Sequence, residues 1–96
     1  MQFINRKKGF DWMAKLTSMR NIGKEMERKL KSIGICSAEE LLQAGSEEAF
    51  IRLKMRYPNV CLVHLYTLQG AIDDIEYNQL SDKVKGKLKS FSDSFK

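Results

Sequence analysis

Leu16-Thr17-Ser18-Met19-Arg20-Asn21-Ile22-Gly23-Lys24, followed by Leu30 and then Ile33-Gly34-Ile35, is the stretch from which the fold is read. Two helices joined by a tight turn need small or left-handed-tolerant residues at the turn. They also need one apolar residue to plug the gap between them. Asn21 and Gly23 suit the turn, and Ile22 suits the plug. Beyond it, Ile22, Met26, Leu30 and Ile33 recur at steps of four, four and three, along one side of a helix. Gly34 supplies the left-handed residue that ends this helix.

The same periodicity extends in both directions. Upstream, a helix is predicted from Asp11 to about Met19, with Trp12, Met13 and Leu16 on its apolar side. Residues 1–9 are polar, basic and weakly patterned, and read as an N-terminal arm to a helical domain over 10–96. Downstream, Ser37-Ala38-Glu39-Glu40 has the form of a capping box and opens a short helix bearing Leu41 and Leu42, which Gly45 closes. Ser46 is predicted to cap the next, carrying Ala49, Phe50 and Leu53. Tyr57-Pro58-Asn59 breaks the pattern, since proline disfavours helix at the residue before it. The most strongly patterned helix comes next, with Cys61, Leu65, Leu68, Ile72 and Ile75 on one stripe, and it is predicted to be central and most buried. Ser81 caps a last helix with Val84, Leu88 and Phe91 facing inward, Phe95 as a further candidate, and Lys83, Lys85, Lys87 and Lys89 in solvent. Runs of β-branched and aromatic residues at period two are absent. The expected fold is all-α, a compact domain of five or six helices.

Bulk properties narrow the function classes. A chain of 96 residues makes one domain with one modest core and little room for a deep substrate cavity. No apolar run approaches the roughly 20 residues needed to span a bilayer. The N-terminus lacks the pattern of a signal peptide, so a cytoplasmic protein with no membrane partner is expected. Cys36 and Cys61, two cysteines in a reducing compartment, are expected to be free, buried thiols. The net charge is +5, but residues 1–31 hold nine Lys/Arg against three Asp/Glu, whereas the rest of the chain is close to neutral. That asymmetry suits a polyanion at one end, or simply a solvated basic face.

The hairpin segment resembles a helix-hairpin-helix (SAM-like) motif, whose usual turn is Gly-hydrophobic-Gly; here Asn21 replaces the first glycine. Glu27 stands where the motif often has a small residue. The run Ile33 to Leu42 is similar to the segment after this hairpin in DNA-repair proteins and the RNA polymerase α C-terminal domain. In such a motif, backbone amides of the turn and of the second helix start bind a phosphate. The candidate nucleic-acid-binding residues are therefore Arg20, Asn21, Ile22, Gly23, Lys24 and Arg28. Contacts of this kind read no bases, so any DNA binding is expected to be weak, sequence-tolerant and salt-sensitive.

The resemblance extends from Leu16 to about Phe91. Asn21-Ile22-Gly23-Lys24, Gly34-Ile35, Glu39-Glu40-Leu41, Gly45, Glu48-Ala49-Phe50 and Leu53 occur in order. They are succeeded by Leu65-Tyr66-Thr67-Leu68-Gln69-Gly70-Ala71-Ile72 and Asn78-Gln79-Leu80, with Tyr77 where a tryptophan is usual. In order and spacing these resemble the C-terminal domain of the TfoX (Sxy) competence-regulator family. The Leu65–Ile72 stretch is the most specific, because helical periodicity alone would not produce it. The resemblance implies a transcriptional co-regulator role in competence, with members acting beside the cyclic-AMP receptor protein at promoters. It thus implies a protein partner in the transcription machinery.

Catalytic and metal chemistry is poorly provided for. Cys61-x-x-His64 is half of a zinc site, but a structural site needs four ligands and Cys36 would be only the third. Asp73, Asp74 and Glu76 read as a solvated turn rather than an acid/base pair. No phosphate-binding loop or dinucleotide fingerprint occurs. The chain is expected to be non-enzymatic, without metal or cofactor. Two readings remain: a regulatory module contacting DNA, protein or both at the hairpin end, and a purely protein-binding or self-associating helical domain whose hairpin is structural.

Overall fold

A computed structural model describes residues 14–95, which form four α-helices: α1 (Lys24–Ser32), α2 (Ala38–Arg56), α3 (Leu62–Asp73) and α4 (Asp82–Asp93). Single 3-10 turns at Leu16–Ser18 and Tyr77–Gln79 precede α1 and link α3 to α4. The described residues include no strand, as the periodicity implies, but the helices number four rather than five or six.

The count differs at two places. The helices expected on either side of Gly45 run on as the single element α2, bent where Gly45 takes φ 82° and ψ 162°. That region of backbone space is essentially glycine's alone. Ser46 does not cap the second half; its buried hydroxyl donates to Gln69 Oε1 on α3. The other difference is the first helix. Residues 14 and 15 are not helical, and only Leu16–Ser18 coils, as one 3-10 turn. Two interactions account for this. The Ala14 carbonyl, which a helix would give to Ser18 N–H, accepts from Ala38 N–H at 2.9 Å instead, and Ala14 N–H donates to the Glu39 carboxylate at 3.0 Å, so the segment is tied to the start of α2. Ser18 Oγ then takes the Lys15 carbonyl at 2.6 Å, local competition that hydroxyl side chains offer to helix. Among the described residues a turn leads into α1 with only one 3-10 turn before it, so a helix-hairpin-helix is not shown there. The predicted arm at 1–9, with Asp11, Trp12 and Met13, lies outside them.

The helix ends obey the local signals. Ser37 Oγ accepts from Glu40 N–H at 3.2 Å, while the Glu40 carboxylate reaches back to Cys36 N–H at 2.6 Å. Ser81 Oγ accepts from Val84 N–H at 3.2 Å. Gly34, at φ 90°, ends α1: Ile35 N–H donates to the Leu30 carbonyl at 2.9 Å and Gly34 N–H to that of Lys31 at 3.1 Å. This is the Schellman arrangement, with its apolar contact supplied by buried Ile35 and Leu30.

The core is one cluster. Leu41, Phe50 and Leu53 of α2 and Leu65 and Leu68 of α3 form its centre, joined by Leu16, Ile22, Leu30, Val60 and Leu88. Phe91 on α4 packs its ring at a tilt against that of Phe50, 6.4 Å between centroids. Several stripe members lie outside it. Cys61 is the residue before α3 and Ile75 lies beyond its left-handed end at Asp74, so both are exposed. Leu42 and Phe95 are exposed as well, and the two thiols are free but exposed rather than buried. Of the four lysines expected in solvent, Lys85 is half-buried.

Two glycines with equally open surroundings test the backbone argument. Nothing lies within 4 Å of where a Cβ would sit on Gly45 or Gly86, and only Gly45 has positive φ. Gly45→Ala is expected to destabilise by about 1–3 kcal/mol. Gly86→Ala, inside α4, is expected to stabilise by up to about 1 kcal/mol. Urea unfolding of both variants checks the opposite signs.

Candidate nucleic-acid interface

The chain turns into α1 through Met19–Gly23, where Ile22 N–H donates to the Met19 carbonyl at 3.3 Å. Asn21 is the left-handed residue of this turn, at φ 73°, and stands in the place of the usual glycine. Asparagine tolerates that conformation better than most residues. Gly23 has ordinary φ, −93°, and is the N-cap of α1, so its lack of a side chain is not a backbone requirement. Ile22 is only 5% exposed, buried in the core as an apolar plug would be, though among the described residues only a 3-10 turn stands where the first of its two helices is expected.

The turn is fastened to the far end of α3. Asn21 Nδ2 donates to the Ile75 carbonyl at 3.0 Å and to the Thr67 carbonyl at 3.4 Å. Beneath it lies Gly70. A Cβ on Gly70 would fall 2.5 Å from Asn21 Nδ2 and 2.5 Å from the Ile75 oxygen. The Ile75 carbonyl is placed by a second left-handed residue, Asp74 at φ 58°, after which Ile75 N–H closes back on the Gly70 carbonyl at 2.8 Å. Arg20 joins the same end of α3, with Nη1 3.0 Å from Glu76 and Nε 3.2 Å from Asp74. These carboxylates, Glu76 first, raise the guanidinium pKa above its ordinary value.

The predicted site residues thus divide. Arg20 and Asn21 are engaged within the protein and Ile22 is buried, whereas Gly23 and Lys24 face solvent. Arg28 pairs with Glu25 on the same helix and pulls that carboxyl below its usual range. The start of α1 has no side-chain cap, in contrast to α2 and α4, so its first amides are left to solvent. Beside it runs an open groove of about 570 Å³ whose walls include Lys15, Lys24 and Lys31. Lys15 and Lys31 were not singled out from the sequence. The spacing of Lys24 and Lys31, seven residues apart on one helix face, was the signal available for one of them.

The Cys61-x-x-His64 pair has a local role. His64 Nδ1 accepts from Cys61 N–H at 3.1 Å and so caps the start of α3, with the thiol sulfur 3.5 Å away. Burial, and the nearby charges of Lys29 and Lys54, hold the imidazole pKa below its ordinary value. Among the described residues no group of three or more His, Cys, Asp or Glu is placed to hold a metal ion. No helix there is long and apolar enough to cross a membrane.

Residues 13–92 match the model of the TfoX C-terminal domain. The chain belongs to the TfoX C-terminal domain family. Two solved structures are similar to it. An uncharacterized protein from Listeria monocytogenes, in a triclinic form, is 39% identical over 85% of this chain and 93% of that one, with a TM-score of 0.83. A protein of unknown function from Listeria monocytogenes, in a tetragonal form, is 38% identical over 84% of this chain and 99% of that one, with a TM-score of 0.81. No curated protein matches at a significant level. In this TfoX C-terminal domain, the glycine of the Leu65–Ile72 segment is where the turn and α3 meet.

Gly70→Ala measures that contact. Helix propensity alone favours alanine by about 1 kcal/mol. The backbone oxygen in the way cannot yield as a flexible side chain would, so overpacking of about 1–3 kcal/mol is expected to prevail. A lower urea midpoint than wild type is the expected result; a higher one would show that propensity decides.

Proposed function

We propose that this TfoX C-terminal domain is a non-enzymatic, cytoplasmic regulatory module of the transcription and competence type, which contacts DNA without reading its sequence at the start of α1. The observation that carries this reading is the uncapped N-terminus of α1, beside exposed Lys24. A helix start with free amides suits a phosphate oxygen, and the dipole adds to the attraction. In this reading Arg20 and Asn21 hold the turn in place, Ile22 fills it, and Gly23 and Lys24 meet the phosphate. Arg28 lies one turn further along the helix. Family membership and the surplus of basic residues in the first third support it. A second reading, a purely protein-binding domain with a structural hairpin, is favoured by the internal partners of Arg20 and Asn21.

Fluorescence anisotropy with a random-sequence duplex at two salt concentrations separates the two. Binding that weakens with salt is expected, and Lys24→Glu is expected to weaken it further while leaving the melting temperature close to wild type. Gly23→Asp is expected to abolish most binding without unfolding the protein. Its φ is ordinary, nothing lies within 4 Å of its Cβ position, and aspartate is a good N-cap. The loss would then report a carboxylate in the phosphate's place. Absence of binding by wild type at low salt would leave the protein-partner reading.

A further inference from the structure

The groove beside α1 continues from the helix start at which a phosphate is proposed to bind. We propose that Lys15, Lys24 and Lys31 form a track for consecutive phosphates of one nucleic-acid strand, and that Arg20 takes no part in it; the track rests on the DNA-binding reading of the α1 start. Each wall of the groove supplies cations: Lys15 from the segment before the 3-10 turn, Lys24 and Lys31 from α1. None of the three forms an ion pair among the described residues, whereas Arg20, Arg28 and Arg52 all do. Among the described residues Glu27 is the one carboxylate on the groove walls, so the surplus they supply is positive.

Length argues for a strand rather than a single small anion. Seven residues of α-helix place Lys24 and Lys31 about 10 Å apart along the axis. A nucleic-acid strand carries one charge per nucleotide along its length, so two lysines at this separation can meet different phosphates of one strand. One phosphate at the α1 start could not reach Lys31. Arg20, by contrast, is committed to Glu76 and Asp74 at the end of α3, and releasing it would give up both contacts.

The groove carries its own reporter. Cys36 lies on its wall, while Cys61 lies in a separate groove with Lys54 and Lys89, and both thiols are exposed. These are the only cysteines of the chain. Alkylation by iodoacetamide, followed by mass spectrometry, then reads the occupancy of each groove in one sample. With saturating random duplex DNA at low salt, alkylation of Cys36 is expected to slow several-fold and that of Cys61 to stay unchanged. The triple variant Lys15→Gln, Lys24→Gln, Lys31→Gln is expected to lower the log–log salt slope by about 0.9 per lysine, and Arg20→Gln to leave the slope alone. Unprotected Cys36, equal slowing of both thiols, or a wild-type slope in the triple variant would each overturn the track while leaving DNA binding elsewhere intact. No binding by wild type would overturn the track together with the reading on which it rests.

Discussion

The side-chain amide of Asn21 is the constraint on which the hairpin end depends. It bridges two segments that are 54 residues apart in sequence, the turn into α1 and the carbonyl of Ile75. Three backbone conditions must hold together for that bond to form. Asn21 must be left-handed, Asp74 must be left-handed so that the Ile75 carbonyl is presented, and residue 70 must have no side chain. Arg20 adds two ion pairs to the same junction, but these are exposed and screened by salt, so they orient more than they stabilise. The amide bonds, over a packed glycine, fix where α1 begins.

Where α1 begins decides what it presents. With the turn anchored to α3 and Ile22 sunk into the core, the helix has Leu30 inward and Lys24, Arg28 and Lys31 outward. The uncapped start and the lysine groove are consequences of this placement. The same junction pairs Arg20, still exposed, with Asp74 and Glu76. A residue that reads as a phosphate ligand in a linear motif thus has, in the folded chain, two carboxylate partners at the end of α3.

Features decided by neighbours in sequence could be read from it. The caps at Ser37 and Ser81, the left-handed end at Gly34 and the break in regular helix at Gly45, though not the merging of its two sides into one element, all depend on residues within a turn or two. Features decided by distant partners could not. The helix expected from Asp11 to Met19 is reduced to one 3-10 turn in its described part, where the start of α2 takes the Ala14 carbonyl that a helix would use. Cys61 and Ile75 fit an apolar stripe by period, yet they fall outside the two ends of α3 and its buried face. At the candidate site, the exposure of Gly23 and Lys24 could be inferred from the turn. The partners of Arg20, Asp74 and Glu76, were legible only as a solvated acidic turn. Gly70 belonged to the stretch that carries the family resemblance, but its steric reason needed Asn21 above it.

The most direct measurement of the account is the equilibrium stability of Asn21→Gly by urea unfolding. Glycine keeps the left-handed backbone without strain and removes only the side-chain amide, so the change in stability isolates the bridge. With two hydrogen bonds lost at roughly 1 kcal/mol each, a destabilisation of about 1–2 kcal/mol is expected. Backbone amide exchange should also quicken at Ile22 and Ile75. A variant as stable as wild type, with exchange unchanged at both positions, would contradict the claim that this amide holds the hairpin end to α3.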